Sequence, residues 1–365
     1  MSKNRKRILF TIIAIDGGGA ERQMRKILHR VDREKFEPYL ILFKKSRNEK
    51  KLIPPDVKVF SCGLYGKPWG TLRFFLMYAI LVLRIRPHVI VSFLFKMNLL
   101  SLLVGRIIFH RKVIISGRNY TPLMVEKYRV PILWRFLVKA LYPRASMIVS
   151  VSYDVKEGLE EQFGVPREKI KVIRSGVDIS YIKKKSLEYE VDMRGYILAC
   201  GKLEKQKGFD LLIKSLKNSE HTLVILGKGI RKKSLQKKAV ENNIRLILPG
   251  YIRNPYPYFR NAAVFALTSR YEGFPNVLLE AMVCRVPVVS FACPGGVEGI
   301  LEGGRYGVLV EPGNLSQLRS SLDELMSNRR RAGELAERAF EKVREYDINK
   351  TVGKYEKIFK GKEIK

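Results

Sequence analysis

The chain alternates short, wholly apolar runs with helical stretches, and this alternation limits its fold more than any other feature. RILFTIIAI is followed by a glycine turn, Asp16-Gly17-Gly18-Gly19, and then by AERQMRKILHRV, a strand–turn–helix pattern. YLILF, VKVF, HVIVSFL, KVIISG and SMIVSVS follow as β-branched runs separated by helical segments. Strands that are apolar on both faces fit a parallel sheet covered by helices on both sides.

The pattern restarts after a turn-rich stretch at RSGVDIS and a basic KKKS connector. YILACGKL, TLVILGKG, IRLILPG, AVFALTS, VPVVSFA and GVLVEP form a second set of strands, and the tail from about residue 322 is helical and strongly charged. A chain of 365 residues, 46% of them hydrophobic, has the length and apolar content for two domains. The expected architecture is two doubly wound α/β domains facing across a cleft, with ligands bound beyond the carboxyl ends of the strands.

Charge narrows the choice of partner. The net charge is +34, and residues 51–150 hold 16 Lys+Arg against 2 Asp+Glu. Such a field favours nucleic acid, an anionic membrane surface or phosphorylated substrates. MSKNRKR-ILFTIIAI has no small-residue cleavage site after it, so it reads as a first strand rather than a signal. The ten apolar residues of FFLMYAILVL are too few to span a bilayer. A soluble or peripheral protein is expected. Cys62, Cys200, Cys284 and Cys293 are scattered without a C-x-x-C pair, so they read as reduced thiols and no metal site is expected.

Three stretches carry chemistry. Gly17, Gly18 and Gly19 lead into a helix, where backbone amides and the helix dipole attract an anion, although a plain tight turn explains them about as well. In GKLEKQKGFDLL, Lys202 follows a strand and Lys207 precedes a helix, so both can converge on a phosphate. The third, SRYEGFPNVLLEAM, places Glu272 before a Gly273-Phe274-Pro275 turn and Glu280 one helical turn after Asn276. Pro275 suits a first helical turn, and the amides of Phe274, Asn276 and Val277 are expected to form an anion site. A carboxylate accepts two hydroxyls side by side, so each acid suits a sugar on one side of a bound pyrophosphate. A merely structural reading is awkward for Glu280, because apolar residues occupy 277–279 and 281 and an unpartnered buried carboxylate is costly.

SRYEGFPNVLLEAM resembles the E-x7-E motif of the retaining GT-B glycosyltransferases of glycosyltransferase family 4. The similarity continues through GGGAERQ, PHVIVSFL, SVSYDVKEGL, GVDIS, GKLEKQKGFD, CPGGVEGIL and YGVLVEPGN, in the family's order and over nearly the whole chain. It implies a GT-B fold of two Rossmann-like domains: an acceptor-binding domain over 1–177, a nucleotide-sugar-binding domain over 178–345, and a C-terminal helix over 346–365 packing back on the first. It also implies a metal-independent, retaining transferase moving a hexose or N-acetylhexosamine from a UDP-linked donor to a lipid-linked or glycan acceptor in surface-glycan synthesis.

Carried over residue by residue, Glu280 would hold the ribose and Glu272 the transferred sugar. Gly273, Phe274, Pro275 and Asn276 would lie against the donor. Lys202 and Lys207 would neutralise the departing pyrophosphate in place of a metal, and Gly18 and Gly19 would close on the same phosphates. Two departures stand out. Lys202 replaces the family's usual arginine and lacks its bidentate fork. In the loop SGRNYTP, where relatives carry a histidine, Arg118 and Asn119 stand as catalytic candidates, while His29, His88, His110 and His221 read as structural or surface residues.

The local excess of +14 over residues 51–150, added to an amphipathic reading of the helix at 130–146, gives the expectation of a first domain that rests on an anionic bilayer at the cytoplasmic face of a membrane and takes a lipid-linked acceptor. For the helix VPILWRFLVKALYPRAS alone, with Ile132, Leu133, Phe136, Leu137, Ala140 and Leu141 on one face, the favoured expectation is a core helix with a solvated basic edge. Two other readings compete with the transferase. A nucleic-acid-binding protein would explain the charge but not the two acids, and no RNA-binding motif with interleaved aromatics is present. A dinucleotide-dependent oxidoreductase would need glycine spacing that the first turn lacks.

Overall fold

The computed structural model describes residues 5–46, 49–63, 70–118, 120–126, 128 and 130–362. The chain divides into two compact units: residues 1–176 with 348–365, and residues 177–347.

The first unit is built on seven strands: β1 (Lys6–Ile12), β2 (Phe36–Leu42), β3 (Lys58–Ser61), β4 (Val89–Phe93), β5 (Lys112–Gly117), β6 (Met147–Ser150) and β7 (Ile170–Val172). Their order is β3-β2-β1-β4-β5-β6-β7, and every pairing is parallel. The winding direction reverses between β1 and β4, so the loops that follow these two strands flank the unit's topological switch point. One face of the sheet is covered by helices Gly19–Arg30 and Ile348–Lys360. Phe359 of the latter meets Phe10 and Phe36 edge-on at 5.9 and 5.6 Å, which seats the chain's last helix in the core of the first unit.

The second unit repeats the plan with six strands: β8 (Tyr196–Cys200), β9 (Leu223–Leu226), β10 (Leu246–Gly250), β11 (Ala262–Leu267), β12 (Val288–Phe291) and β13 (Val308–Val310). The order is β10-β9-β8-β11-β12-β13, again all parallel. Here the reversal falls between β8 and β11. The fold is thus α/β, a GT-B-type pair of Rossmann-like units. Twelve strands coincide with the apolar runs of the sequence. β7 does not: its three residues lie within the basic stretch Lys169–Arg174, too short and too charged to show a pattern.

Helix Pro131–Leu141 corrects an expectation. Of its residues only Val138 is buried, whereas Ile132, Leu133 and Phe136 are exposed. The helix does not present its aliphatic face to the core. Its Trp134 ring packs 5.5 Å from Phe95, and Tyr142 just beyond it lies 6.5 Å from the same ring. Large aromatic anchors on the opposite side decide which way an ambiguous helix faces.

Candidate active site

The two acids of SRYEGFPNVLLEAM lie in the segment that follows β11, at the second unit's switch point. β11 ends at Leu267, and Thr268 to Pro275 form the loop leading to helix Asn276–Val283. β8, its neighbour, ends at Cys200 and leads through Gly201 and Lys202 to a short turn of 3-10 helix, Lys205–Lys207. Adjacent parallel strands deliver both loops to the same edge of the sheet. This is why residues 65 positions apart in sequence meet: Lys207 Nζ donates to Glu272 Oε1 at 2.6 Å.

Glu272 is 6% exposed, and its Oε1 also accepts from Ser269 Oγ at 2.6 Å. Its backbone amide donates to Pro294 O at 2.8 Å. Gly295 (φ +111°) is required beside it, because a Cβ there would stand 1.9 Å from the Glu272 carbonyl oxygen. Glu280 is 3% exposed, in a helix whose residues 278–283 are all buried. Lys202 is exposed at the rim.

A second ionic contact braces the two loops, and the sequence reading gave it no role. The Arg270 guanidinium grips Asp210 with both arms, at 3.1 and 2.9 Å, and donates to Lys205 O at 2.5 Å. The Arg270 amide donates to Gln206 O at 2.8 Å, and Gln206 Nε2 returns to Tyr271 O at 3.0 Å. Thr268 Oγ1 reaches Lys207 O and Gly208 O, and Gly208 (φ +64°) would place a Cβ only 1.8 Å from Thr268 O. Burial alone would raise the Asp210 carboxyl, but the bond and charge of Arg270, with Arg231 behind it, hold it below its ordinary value. Opposite charges in loops after two neighbouring strands were the signal available.

The turn at Phe274–Asn276 differs from expectation. Pro275 is the N-cap and Asn276 the first helical residue. The Asn276 amide donates to Phe274 O at 3.0 Å and the Leu278 amide to Pro275 O at 2.9 Å. Of the three amides expected to form an anion site, that of Asn276 is therefore turned into the loop. Gly273, Phe274 and Pro275 are buried, and the Phe274 ring packs 6.0 Å from Tyr346, so it supports the turn from behind.

In the first unit, Gly18 is the N-cap of helix Gly19–Arg30, and only Gly17 (φ +126°) takes a left-handed conformation. A Cβ on Gly18 would lie 2.9 Å from Glu21 Oε2, so a carboxylate lies over the glycine turn. Arg118 follows β5. Its Nη2 donates to Ser175 Oγ at 2.8 Å, and its guanidinium sits over the Phe93 ring at 5.0 Å. Desolvation there lowers its pKa, opposed by Tyr355 and by Glu21. Asn119 lies outside the described residues. The histidines hold structural or surface positions: His88 Nδ1 accepts from the Arg7 amide at 3.0 Å, His221 meets Asp323 at 3.0 Å and His29 meets Leu52 O at 3.1 Å, while His110 is exposed with φ +50°. Cys62, Cys200, Cys284 and Cys293 are thiols rather than disulfides. Among the described residues, no group of three or more His, Cys, Asp or Glu side chains gathers where a metal ion would bind.

Known proteins match this geometry over both units. Residues 17–181 match the model of Glycosyltransferase Family 4, and residues 182–345 match that of Glycosyl transferases group 1. The chain is 31% identical over 220 residues to a Campylobacter jejuni N-acetylgalactosamine-N,N'-diacetylbacillosaminyl-diphospho-undecaprenol 4-alpha-N-acetylgalactosaminyltransferase, a match covering 58% of this chain and 60% of that relative. A second protein of that organism, a GalNAc-alpha-(1->4)-GalNAc-alpha-(1->3)-diNAcBac-PP-undecaprenol alpha-1,4-N-acetyl-D-galactosaminyltransferase, is 24% identical over 94% of this chain and 95% of its own length. Among solved structures, Anabaena Alr3699/HepE in complex with UDP superposes with a TM-score of 0.79 at 20% identity, covering 98% of this chain and all of that one.

Proposed function

The chain belongs to the family 4, group 1 glycosyltransferases, whose two domain models together account for residues 17–345, and from that premise we propose that it transfers a hexose or N-acetylhexosamine from a UDP-sugar to a lipid-linked glycan. The observation that carries this reading is the Lys207–Glu272 contact at the second unit's switch point, a cation and a buried acid in the loops where an open α/β sheet binds its ligand.

Each residue has a role in the reaction. Glu280 accepts the ribose hydroxyls, a function that suits a carboxylate held on a rigid, buried helix. Glu272 accepts hydroxyls of the transferred sugar and faces the positive charge that grows at its anomeric carbon. Lys207, held by Glu272 in the free enzyme, shares its ammonium with the donor pyrophosphate, and Lys202 approaches from the rim. Charge on the leaving group increases as the bond breaks, so fixed cations there lower the barrier without a metal ion.

We assign retention of configuration. The acceptor oxygen bonds to the anomeric carbon on the face from which the phosphate oxygen departs. The acceptor's proton passes to that phosphate, and UDP leaves. The resemblance of the chain to relatives named for undecaprenyl-diphosphate glycans supports a lipid-linked acceptor. The first unit is the side we assign to the acceptor, with Arg118 after β5 among its polar groups.

The test is a panel of UDP-sugars with undecaprenyl-diphosphate-linked acceptors, read by UDP release with and without a chelator, with the anomeric configuration of the product determined by NMR. Acceptor-dependent UDP release that survives the chelator, with an α product from an α donor, is expected. Inverted product or chelator-abolished turnover contradicts the corresponding part of the reading, and no turnover with any UDP-sugar contradicts the donor.

A further inference from the structure

In the first unit, the segments that follow β4 and β5 enclose a narrow cleft to which the reaction gives no role. The two strands pair in parallel, so Leu94, Phe95 and Asn98 after β4, and Arg118 and Met124 after β5, reach the same edge of the sheet. These residues and Tyr142 line a space of about 10 Å³. That is room for one water-sized group, so a substituent can enter but a ring cannot.

One buried acceptor in this lining is left over. Asn98 is 1% exposed, and its side-chain nitrogen donates to Ser116 O at 3.0 Å. A carbonyl only accepts, so this bond fixes which way the amide points. Burial pushes the Tyr142 hydroxyl up, and the Asn98 amide beside it opposes this, as a donor does. Both contacts engage the nitrogen. Asn98 Oδ1 is buried and accepts from no group among the described residues, which is costly for a polar atom out of water. Leu94 adds a second sign of use. Its φ of +75° and ψ of 142° lie close to a region kept almost entirely for glycine, and the strain sets an apolar side chain on the cleft wall. Phe95, beside it, is held by the rings of Tyr128 and Trp134, both 5.5 Å away.

The chemistry of the lining selects what enters. Asn98 Oδ1 needs a donor, Arg118 carries guanidinium N–H groups beyond the one that Ser175 accepts, and Leu94, Phe95 and Met124 offer apolar contact. A carboxylate or phosphate would set oxygen against Oδ1. A bare hydroxyl would satisfy Oδ1 and leave the apolar wall unfilled. An acetamido group meets all three demands, with its N–H for Oδ1, its carbonyl for Arg118 and its methyl for the wall. We propose that the cleft is the subsite for the 2-acetamido group of an N-acetylhexosamine at the acceptor's end, with Asn98 as the residue that selects it. This assignment rests on the first unit's taking the acceptor, as proposed above.

The test needs neither donor nor turnover. Saturation-transfer NMR and affinity titration are run on the full chain with the methyl α-glycosides of N-acetylgalactosamine and N-acetylglucosamine, each beside its parent hexose. At least one N-acetyl glycoside is expected to bind about tenfold or more tightly than its parent, with the strongest saturation at the acetamido methyl. Asn98→Leu keeps the volume and removes the acceptor, so the two affinities should come within about twofold of each other. Leu94→Gly removes the wall side chain together with its strained dihedral, so the fold tolerates it, and the N-acetyl preference should fall by about threefold or more. Equal binding of the paired glycosides to the wild type, or no saturation from any of them, would overturn the proposal. A folded Asn98→Leu or Leu94→Gly protein that keeps the full preference would overturn it too; for Asn98→Leu that result leaves Oδ1 to a buried water only. UDP titration of the same samples reports on the donor separately. UDP binding without a glycoside preference removes the subsite alone, and the reverse result removes the donor alone.

Discussion

The two units share a winding plan and use charge in opposite ways. The first carries 41 Lys+Arg against 15 Asp+Glu and the second 28 against 20. In the second unit many basic side chains are paired at close range: Lys207 with Glu272, Arg270 with Asp210, Arg319 with Asp323, and Lys342 with both Glu302 and Glu345. In the first, the arginines and lysines of residues 57–150 have few acids to meet: Lys58 pairs with Glu37 and Arg135 with Glu126, Arg118 lies over the Phe93 ring, and Arg73, Arg84, Arg106, Lys139 and Arg144 are exposed. One sheet spends its charge on fixing loops, the other on presenting a surface. A sequence-wide net charge of +34 hides this division.

The contrast predicts large effects of small changes in the second unit. Glu272→Gln keeps the shape but loses the charge facing the anomeric carbon, and turnover should fall by about a hundredfold to a thousandfold while UDP still binds. Stopped assays of product formation beside calorimetric UDP titration separate the two effects. Lys207→Met removes the cation from the leaving group and leaves Glu272 buried without it, so a loss of about a hundredfold in kcat is expected.

Asp210→Asn tests the brace. Removing one partner of a partly buried, two-armed ion pair should cost about 2 kcal/mol of stability, and kcat/KM should fall by about tenfold as Lys207 and Glu272 lose their mutual register. The substitution should also change the acid limb of unfolding. The folded-state pKa of Asp210 is lowered, so its contribution is complete above the unfolded value of about 3.9 and is lost as pH falls through the lower folded value. Melting temperature against pH should therefore drop less steeply below pH ~4 in Asp210→Asn than in the wild type.

The first unit should respond more mildly. Arg118→Met removes the bond to Ser175 and the stacking on Phe93, a stability cost of about 1–2 kcal/mol read by denaturant unfolding. An equal cost for Arg118→Met and Arg118→Lys would point to the planar fork, because lysine restores the charge but not the geometry.

Much of this fold was legible because apolar runs in a parallel sheet leave a strong signal, and twelve of the thirteen strands follow it. β7 escaped because its residues Ile170, Lys171 and Val172 form a short edge strand with a lysine in the middle. The burial of Glu280 was legible from its apolar neighbours. The Arg270–Asp210 brace is not legible in the string, although the two residues stand in SRYEGFPNVLLEAM and GKLEKQKGFDLL, because only the adjacency of β8 and β11 brings them together. The expected anion site differs at one amide, that of Asn276, which donates to Phe274 O. A string shows that a loop turns but not which of its amides the turn itself consumes. Helix Pro131–Leu141 was misread because both of its faces are apolar, and only the aromatic contacts of Trp134 and Tyr142 with Phe95 orient it.

The central claim is that Glu280 and Glu272 serve two sugars on either side of one pyrophosphate. Calorimetric titration of the wild type, Glu280→Ala and Glu272→Gln with UDP, and in parallel with NAD and an oligonucleotide, tests it most directly. The account predicts UDP binding that is weakened by about thirtyfold or more in Glu280→Ala, where charged hydrogen bonds are lost, and nearly unchanged in Glu272→Gln. Binding of NAD or the oligonucleotide with no UDP response, or a UDP affinity indifferent to Glu280, would contradict it.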